Sequence, residues 1–124
     1  MALAHEDLTE RIIGAGIEVH RRLGPGFIES IYERALIIEL AKCGLDAQRQ
    51  VRIPVLYDGK LVGRHKLDLI VNRLIVVELK TVKDFEDIHF AVVRSYLRAV
   101  GAEHGLLLNF AKPRLEIRRV IASN

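Results

Sequence analysis

Two carboxylates and one amine interrupt a long apolar stretch that runs from His65 to Lys80. Asp68 lies in the first half of this stretch, while Glu78 and Lys80 lie two residues apart at its end. Carboxylate oxygens, and a main-chain carbonyl such as that of Leu79, are ligands that suit Mg²⁺ or Mn²⁺. A neighbouring lysine can stabilise negative charge that develops on a phosphate. The combination predicts metal-assisted hydrolysis of a phosphodiester, and the competing interpretation is a solvated face with cross-strand ion pairs.

The register of the hairpin within this stretch decides whether the charged side chains meet. If Val71 paired with Leu74 across a two-residue loop, each sheet face would carry one carboxylate among apolar neighbours. If Val71 pairs with Ile75, Asp68 lies opposite Glu78 and shares a face with it. Burying an unpaired charge is costly, so we predict the second register or a bulge with the same effect. It predicts a charged face and a wholly apolar face formed by Leu67, Leu69, Val71, Ile75, Val77 and Leu79.

The surrounding sequence alternates between helical and strand periodicity. Asp58-Gly59 predicts a hairpin turn, Pro54 favours an edge strand, and Asp84 is the predicted cap of the third helix. The resulting order is ααβββαββ, which predicts an α/β fold. The predicted elements are helices over residues 8–23, 27–42 and 85–100, and strands over residues 51–57, 60–71, 75–80, 104–110 and 115–121.

The composition is that of a globular protein. Hydrophobic residues make up 50% and charged residues 28% of the 124 residues, which suits a single domain over residues 1–124. One cysteine excludes a disulfide framework and a cysteine-rich zinc site. The sequence contains neither a signal-peptide pattern nor an apolar run of about 20 residues, so we expect a cytoplasmic protein with no membrane partner. A net charge of +3 permits nucleic-acid binding without requiring it.

Two motifs together resemble those of a known group of proteins. Asp68 followed by Glu78-Leu79-Lys80, on neighbouring predicted strands, looks like the pattern of the PD-(D/E)XK nuclease superfamily. The stretch "GPGFIESIYERAL", with Gly26, Glu29 and Tyr32 at spacings of three, resembles the signature of the GxxExxY proteins, a bacterial family within that superfamily. The resemblance covers roughly residues 12–121. It implies a restriction-endonuclease-like αβββαβ core with an extra N-terminal helix and a mixed central sheet, a divalent metal, and phosphodiester cleavage.

The resemblance also implies roles for individual residues. Asp68 and Glu78 match the metal-binding acids, and Lys80 matches the catalytic lysine. Glu29 is similar to the helix-borne acid that completes the site in many members of the superfamily. Glu33, one turn further along the same helix, is the rival acid, for which solvated surface is the alternative interpretation.

Three more side chains are candidate substrate contacts. Tyr32 shares a helical face with Glu29, His20 ends the first predicted helix, and Tyr96 belongs to the third. Core packing is the competing interpretation for His20 and Tyr96. Val92 stands where the family often has a glutamine that could hold phosphate or water, and valine can do neither.

The function we predict is Mg²⁺- or Mn²⁺-dependent cleavage of DNA, with branched or damaged DNA as a candidate substrate and RNA as a further candidate partner. The first alternative is a catalytically inactive module of the same fold that binds nucleic acid or protein. The second is a structural subunit of a larger complex. Superfamily members of this length often dimerise, so the resemblance also implies a homodimer.

Overall fold

The structure is a computed structural model, and it describes residues 5–122. Its elements follow one another in the predicted order, and its five strands form one sheet in the order β1-β2-β3-β4-β5. Neighbouring strands are antiparallel except for β3 and β4, which are parallel. The α/β class and the mixed central sheet are therefore confirmed. The elements are α1 (Glu6–Leu23), α2 (Glu29–Lys42), β1 (Ala47–Tyr57), β2 (Lys60–Val71), β3 (Ile75–Lys80), α3 (Asp87–Val100), β4 (His104–Asn109) and β5 (Glu116–Ile121).

The sheet separates two hydrophobic clusters, one beneath α1 and α2 and the other beneath α3. Val77 and Leu106 belong to the first cluster, whereas Val76 and Leu107, their neighbours along β3 and β4, belong to the second. Successive side chains of a strand point to opposite faces, so strands covered on both faces must be apolar almost throughout. This is why β3 and β4 read as nearly continuous apolar runs.

The hairpin between β2 and β3 has the predicted register, with Val71 paired to Ile75. Asn72 and Arg73 both adopt positive φ angles, 51° and 58°. The N–H of Leu74 donates to the carbonyl of Val71 over 2.9 Å. The turn therefore closes tightly and leaves Leu74 as an extra residue before the ladder begins.

The predicted division of the two sheet faces is wrong at Leu67. Leu67 packs in the cluster beneath α3, although Leu69, two residues later, packs in the cluster beneath α1 and α2. The chain changes face at Asp68, and Gln50, which lies opposite it on β1, has a φ of 53°. A left-handed residue breaks the regular alternation of a strand. Ile70 lies on the face predicted to be charged and is buried there beneath α3, so the competing interpretation of a solvated face does not hold at this position.

One other local expectation, the cap of the third helix, changes with the structure. Glu86, rather than Asp84, caps α3: the N–H of Glu86 donates to Nδ1 of His89 over 2.9 Å. Asp84 instead forms an ion pair with Lys112, 2.9 Å away. Pro54 does lie on an edge strand, as predicted.

Among the described residues, no helix is both long enough and apolar enough to cross a membrane.

Candidate active site

Asp68 lies in a gap where β2 and β3 separate. The pairing of these strands stops at Leu69 and Val77, one residue before Asp68. The N–H of Leu79 donates to Oδ2 of Asp68 over 2.9 Å, so a side-chain oxygen replaces the main-chain carbonyl of a regular ladder. The N–H and C=O of one strand residue point to the same side. The Leu79 carbonyl therefore also faces this gap.

Glu78 stands beside Asp68 and is only 5% exposed. Its Oε1 lies 3.5 Å from the main-chain nitrogen of Asp68, a distance that leaves little hydrogen-bond strength. Burial, followed by the charge of Asp68, raises the pKa of Glu78 to about 8. Near neutral pH, the two carboxylates therefore resist carrying two negative charges in the absence of a cation. A divalent cation between them would remove this repulsion.

Lys80 forms an ion pair with Glu78. Its Nζ lies 3.9 Å from Oε2 of Glu78, which is beyond hydrogen-bond distance. The two residues are two positions apart on β3, and their side chains therefore emerge on the same side of the strand. The positive charge of Lys80 lowers the pKa of Glu78, but by less than burial and Asp68 raise it. The ammonium is thus near the carboxylates without being held by them.

Glu29 connects the start of α2 to the end of β3. Its Oε2 accepts a hydrogen bond from the N–H of Thr81 over 3.2 Å, and the Thr81 hydroxyl lies 3.5 Å from the same oxygen. Burial raises the pKa of Asp68 most, and the charge of Glu29 adds to this rise. The predicted helix-borne acid is therefore within electrostatic range of the carboxylate pair.

Glu33 is not the solvated surface residue of the alternative interpretation, because it is only 4% exposed. Its two carboxylate oxygens accept hydrogen bonds from Nε of Arg49 and Nε2 of Gln50, both over 2.7 Å. Its charge raises the pKa of Asp68 more than that of Glu29 does, although burial has the larger effect. Gln50, which has a left-handed conformation opposite Asp68, is thus hydrogen-bonded to Glu33 of α2.

The oxygen donors in the gap fit a hard divalent cation. Within residues 5–122, no three His, Cys, Asp or Glu side chains come together closely enough to form a metal-binding cluster. Mg²⁺, however, keeps several waters and is commonly held by only one or two carboxylates. Asp68 and Glu78 supply two, and the main-chain carbonyl of Leu79 faces the same gap. The donor set therefore suits Mg²⁺ or Mn²⁺ better than a metal that requires a full protein cage.

Tyr96 is a predicted substrate contact on which the charges of Glu78 and Asp68 act. Burial, with smaller contributions from the charges of Glu78 and Asp68, raises the pKa of Tyr96 to about 12. Its ring packs edge-to-face on His65, with 4.7 Å between ring centroids. Val92, one turn earlier on α3, is half-buried.

Tyr32 has no exposed surface. Its hydroxyl donates to the carbonyl of Gly24 over 2.6 Å and accepts a hydrogen bond from the N–H of Phe27 over 3.2 Å. The ring stacks on Phe110 with 4.4 Å between centroids. These contacts fix the loop that leads into the first turn of α2, which carries Glu29. Tyr32 is thus fully buried, with its hydroxyl hydrogen-bonded to the loop before α2.

His20 is also engaged within the chain. Its Nε2 lies 2.8 Å from the carbonyl oxygen of Lys112, and its ring stacks at 6.1 Å from that of Phe110. It lines an open groove of about 390 Å³ between α1 and the connection from β4 to β5. The structure does not place His20 in contact with the carboxylate pair.

Asn109, at the end of β4, organises the chain just after Lys80 and was not identified from the sequence. Its Nδ2 donates to the carbonyl of Val82 over 2.7 Å and to Oε1 of Glu116 over 3.2 Å. Its Oδ1 accepts from the N–H groups of Val82 and Ala111, each over 3.1 Å. A buried asparagine at the end of an apolar run was the available signal, because such a side chain needs partners.

We expect Asn109→Ala to lower the free energy of unfolding by roughly 1–3 kcal/mol, because it removes the hydrogen bonds that hold the partly buried main chain of Val82 and Ala111. Urea denaturation measures the loss. Gln48→Ala, at an exposed position of β1, is the control and should change stability by less than about 0.5 kcal/mol. An Asn109→Ala variant as stable as this control would contradict the assigned role.

A comparison with protein-family models matches residues 6–120 to the PD-(D/E)XK nuclease superfamily. The match covers nearly the whole chain, and it includes the gap between β2 and β3. This chain belongs to the PD-(D/E)XK nuclease superfamily. Asp68 and Glu78-Leu79-Lys80 stand in the order that gives the superfamily its name. PD-(D/E)XK nucleases typically use divalent metals.

The fold is similar to the crystal structure of SSO0001, with a TM-score of 0.62 and 18% sequence identity. The alignment covers 97% of this chain and 60% of that chain, so this PD-(D/E)XK chain spans about three fifths of the other protein's length. Identity this low supports a statement about the fold alone, and it confirms the predicted restriction-endonuclease-like fold. None of the curated proteins matches this sequence.

Proposed function

We propose that this chain is a metal-dependent nuclease that hydrolyses phosphodiester bonds of DNA, and that it is a GxxExxY protein within the PD-(D/E)XK superfamily. One observation carries the proposal. In a chain of this superfamily, Asp68 and Glu78 share a largely buried gap beside the ammonium of Lys80. A carboxylate pair with raised pKa values weakens a fold, so a binding role for a cation accounts for its presence.

Mg²⁺ or Mn²⁺ is the proposed cofactor, held by Asp68, Glu78 and the Leu79 carbonyl. When bound, the cation supplies positive charge that polarises a phosphoryl oxygen. Glu29 is the better choice than Glu33 for the acid that completes the site. Glu33 already accepts two short hydrogen bonds from side chains of β1, whereas the contacts of Glu29 with the residue after β3 are longer, at 3.2 and 3.5 Å.

The remaining roles follow from where the side chains lie. Lys80, free of a hydrogen bond to Glu78, can donate to a phosphate oxygen and stabilise the charge that develops there. Leu79 fixes the orientation of Asp68 through its N–H. We assign Tyr96 to substrate contact. For Tyr32 and His20, the contacts within the chain favour positioning α1 and α2 over touching substrate.

The second candidate function is an inactive module of the same fold that binds nucleic acid or protein. Val92 favours it, because this half-buried position on α3 carries no amide to hold phosphate or water. This candidate predicts binding without cleavage, and binding that does not depend on Glu78. The homodimer and the cytoplasmic location stay predictions, and sedimentation of the purified protein tests the first of them.

The proposal is tested with plasmid, single-stranded, flap and four-way-junction DNA in the presence of Mg²⁺ or Mn²⁺, with RNA of matched sequence alongside. We expect cleavage of at least one DNA substrate with metal and none in excess chelator. A protein that binds these substrates but leaves all of them intact with either metal would support the inactive module instead.

A further inference from the structure

Beyond the gap at Asp68, β1 and β2 continue together as a two-stranded ribbon. The ribbon comprises residues 51–66, with the Asp58-Gly59 turn at its tip. The pairing between β2 and β3 does not extend past Leu69 in this direction. The ribbon therefore projects from the sheet with β1 as the paired neighbour of β2.

One face of the ribbon is apolar and packs on the protein. Val51 and Ile53 contact the cluster beneath α3, and His65, paired with Ile53, is bonded to Ser95 of that helix, with 2.7 Å between Nε2 and Oγ. This packing holds the ribbon in a fixed orientation relative to the carboxylate pair. Because successive side chains of a strand alternate, the residues between these apolar positions point to the opposite face of the ribbon.

The opposite face carries three cations. Arg52 and Lys66 are directly paired across the strands, and Arg64, paired with Pro54, follows two residues further towards the tip. Paired residues share a face, and so do residues two apart on one strand. All three side chains belong to exposed residues. The structure thus has a cationic face formed by Arg52, Arg64 and Lys66.

The cationic face is not neutralised by ion pairs within the part of the chain that the structure describes. Within residues 5–122, none of its three side chains forms an ion pair, whereas Arg119 on β5 pairs with both Glu6 and Glu10. Like charges placed opposite each other on a sheet are destabilising. A pair of opposed cations that forms no ion pair within the described residues is complementary to a polyanion.

The position and width of the ribbon fit duplex DNA. Lys66 is two residues, or about 7 Å along the strand, from Asp68. Two strands lie about 5 Å apart, and a two-stranded ribbon fits the major groove of B-form DNA, which is about 12 Å wide. The ribbon is thus narrow enough to follow a groove.

We propose that the cationic face of the ribbon binds the phosphate backbone of duplex DNA and anchors the duplex close to the gap. The proposal rests on the nuclease function above for its substrate, but the binding itself needs no chemistry at the gap. Phosphate contacts of this kind position a duplex without reading its sequence. The ribbon therefore provides register and affinity rather than sequence preference.

The tip of the ribbon is apolar and exposed, which makes a second copy of the chain the alternative to DNA as its binding partner. The exposed side chains there are Leu56, Tyr57, Leu61 and Val62. Apolar side chains at such a tip can enter a DNA groove, but they can also contact a second copy of the chain. The experiment must therefore separate DNA binding from self-association.

The test compares Arg52→Gln/Lys66→Gln with Arg118→Gln/Arg119→Gln. Both variants lose two positive charges, but the second pair lies on β5, at the opposite edge of the sheet. Binding of the full chain to a labelled 20-base-pair duplex is measured in chelator, at several salt concentrations. We expect the ribbon variant to bind about 10- to 100-fold more weakly near 0.1 M salt and to reduce the salt slope by about 2. The β5 variant should bind within about threefold of wild type.

Each outcome has one meaning. Unchanged affinity and salt slope in the ribbon variant, an equal loss in the β5 variant, or a wild type that does not bind duplex would each overturn the ribbon proposal. A ribbon variant that turns a sedimenting dimer into a monomer would assign the ribbon to self-association and overturn it as well. Duplex binding through the ribbon without cleavage in Mg²⁺ or Mn²⁺ would instead overturn only the nuclease function.

Discussion

Glu78→Gln and Lys80→Ala are each expected to lower the rate of DNA cleavage by at least about 100-fold, the scale of removing one charged group from a preorganised site. Glu78→Gln removes half of the carboxylate pair and so weakens the hold on the cation. Lys80→Ala leaves both carboxylates in place and removes the ammonium that would meet the phosphate. Single-turnover cleavage of the best DNA substrate, at saturating protein, measures both losses.

Cation binding separates the two variants. Titration with Mn²⁺ should show weakened affinity in Glu78→Gln and affinity close to that of wild type in Lys80→Ala, because Lys80 is no ligand in the proposed site. Glu103→Gln and Lys42→Ala alter exposed residues outside the gap and serve as matched controls with unchanged cleavage. If both site variants cleaved as fast as these controls, Glu78 and Lys80 would have no catalytic role.

The register of the hairpin between β2 and β3 could be predicted because charge burial is costly enough to select a register, whereas the separation of the strands at Asp68 was not predicted. A pairing of Val71 with Ile75, or a bulge with the same effect, would keep Asp68 and Glu78 on one side, and the structure has this pairing. Helix and strand order followed from apolar spacing for the same reason, since each element must cover its apolar face. These inferences use neighbours in sequence or across a single hairpin.

The change of face at Asp68 could not be predicted in this way. It coincides with the left-handed conformation of Gln50, whose side chain bonds to Glu33 on α2. That contact joins residues 17 apart in sequence and depends on how α2 lies over the sheet. The prediction therefore placed Leu67 on the apolar face wrongly. It used only the alternation of side chains along a strand, and this alternation takes no account of the contact between α2 and β1.

The interpretation of single polar side chains met the same limit. Tyr32 and Glu29 are three residues apart and share a helical face, yet Tyr32 turns its hydroxyl to Gly24 while Glu29 reaches the residue after β3. Glu33 looked equally suited to solvent, but Arg49 and Gln50 bury it. Spacing along a helix predicts direction, whereas the partners in space decide what each carboxylate or hydroxyl does.

The carboxylate pair should make the metal-free protein less stable as the pH rises. Burial and the charge of Asp68 raise the pKa of Glu78 to about 8, whereas an unfolded glutamate has a pKa of about 4.3. The folded state therefore binds this proton more tightly than the unfolded state. The stability that this proton contributes is complete below about pH 4.3 and is lost progressively as the pH rises towards about 8. Each pKa unit corresponds to about 1.4 kcal/mol, so the loss is on the order of a few kcal/mol.

Urea denaturation in chelator, from pH 5 to pH 9, measures this loss, and Glu78→Gln should lack most of it because an amide does not titrate. At pH 8 to 9 the variant should therefore be more stable than wild type, while Glu103→Gln, which alters an exposed carboxylate, should follow the wild-type curve. Mn²⁺ should restore wild-type stability at high pH and do much less for Glu78→Gln, because a cation replaces the proton only where two carboxylates hold it. Parallel stability curves for wild type and Glu78→Gln would mean that Asp68 and Glu78 do not strain one another, and the physical reason for placing a cation between them would be lost.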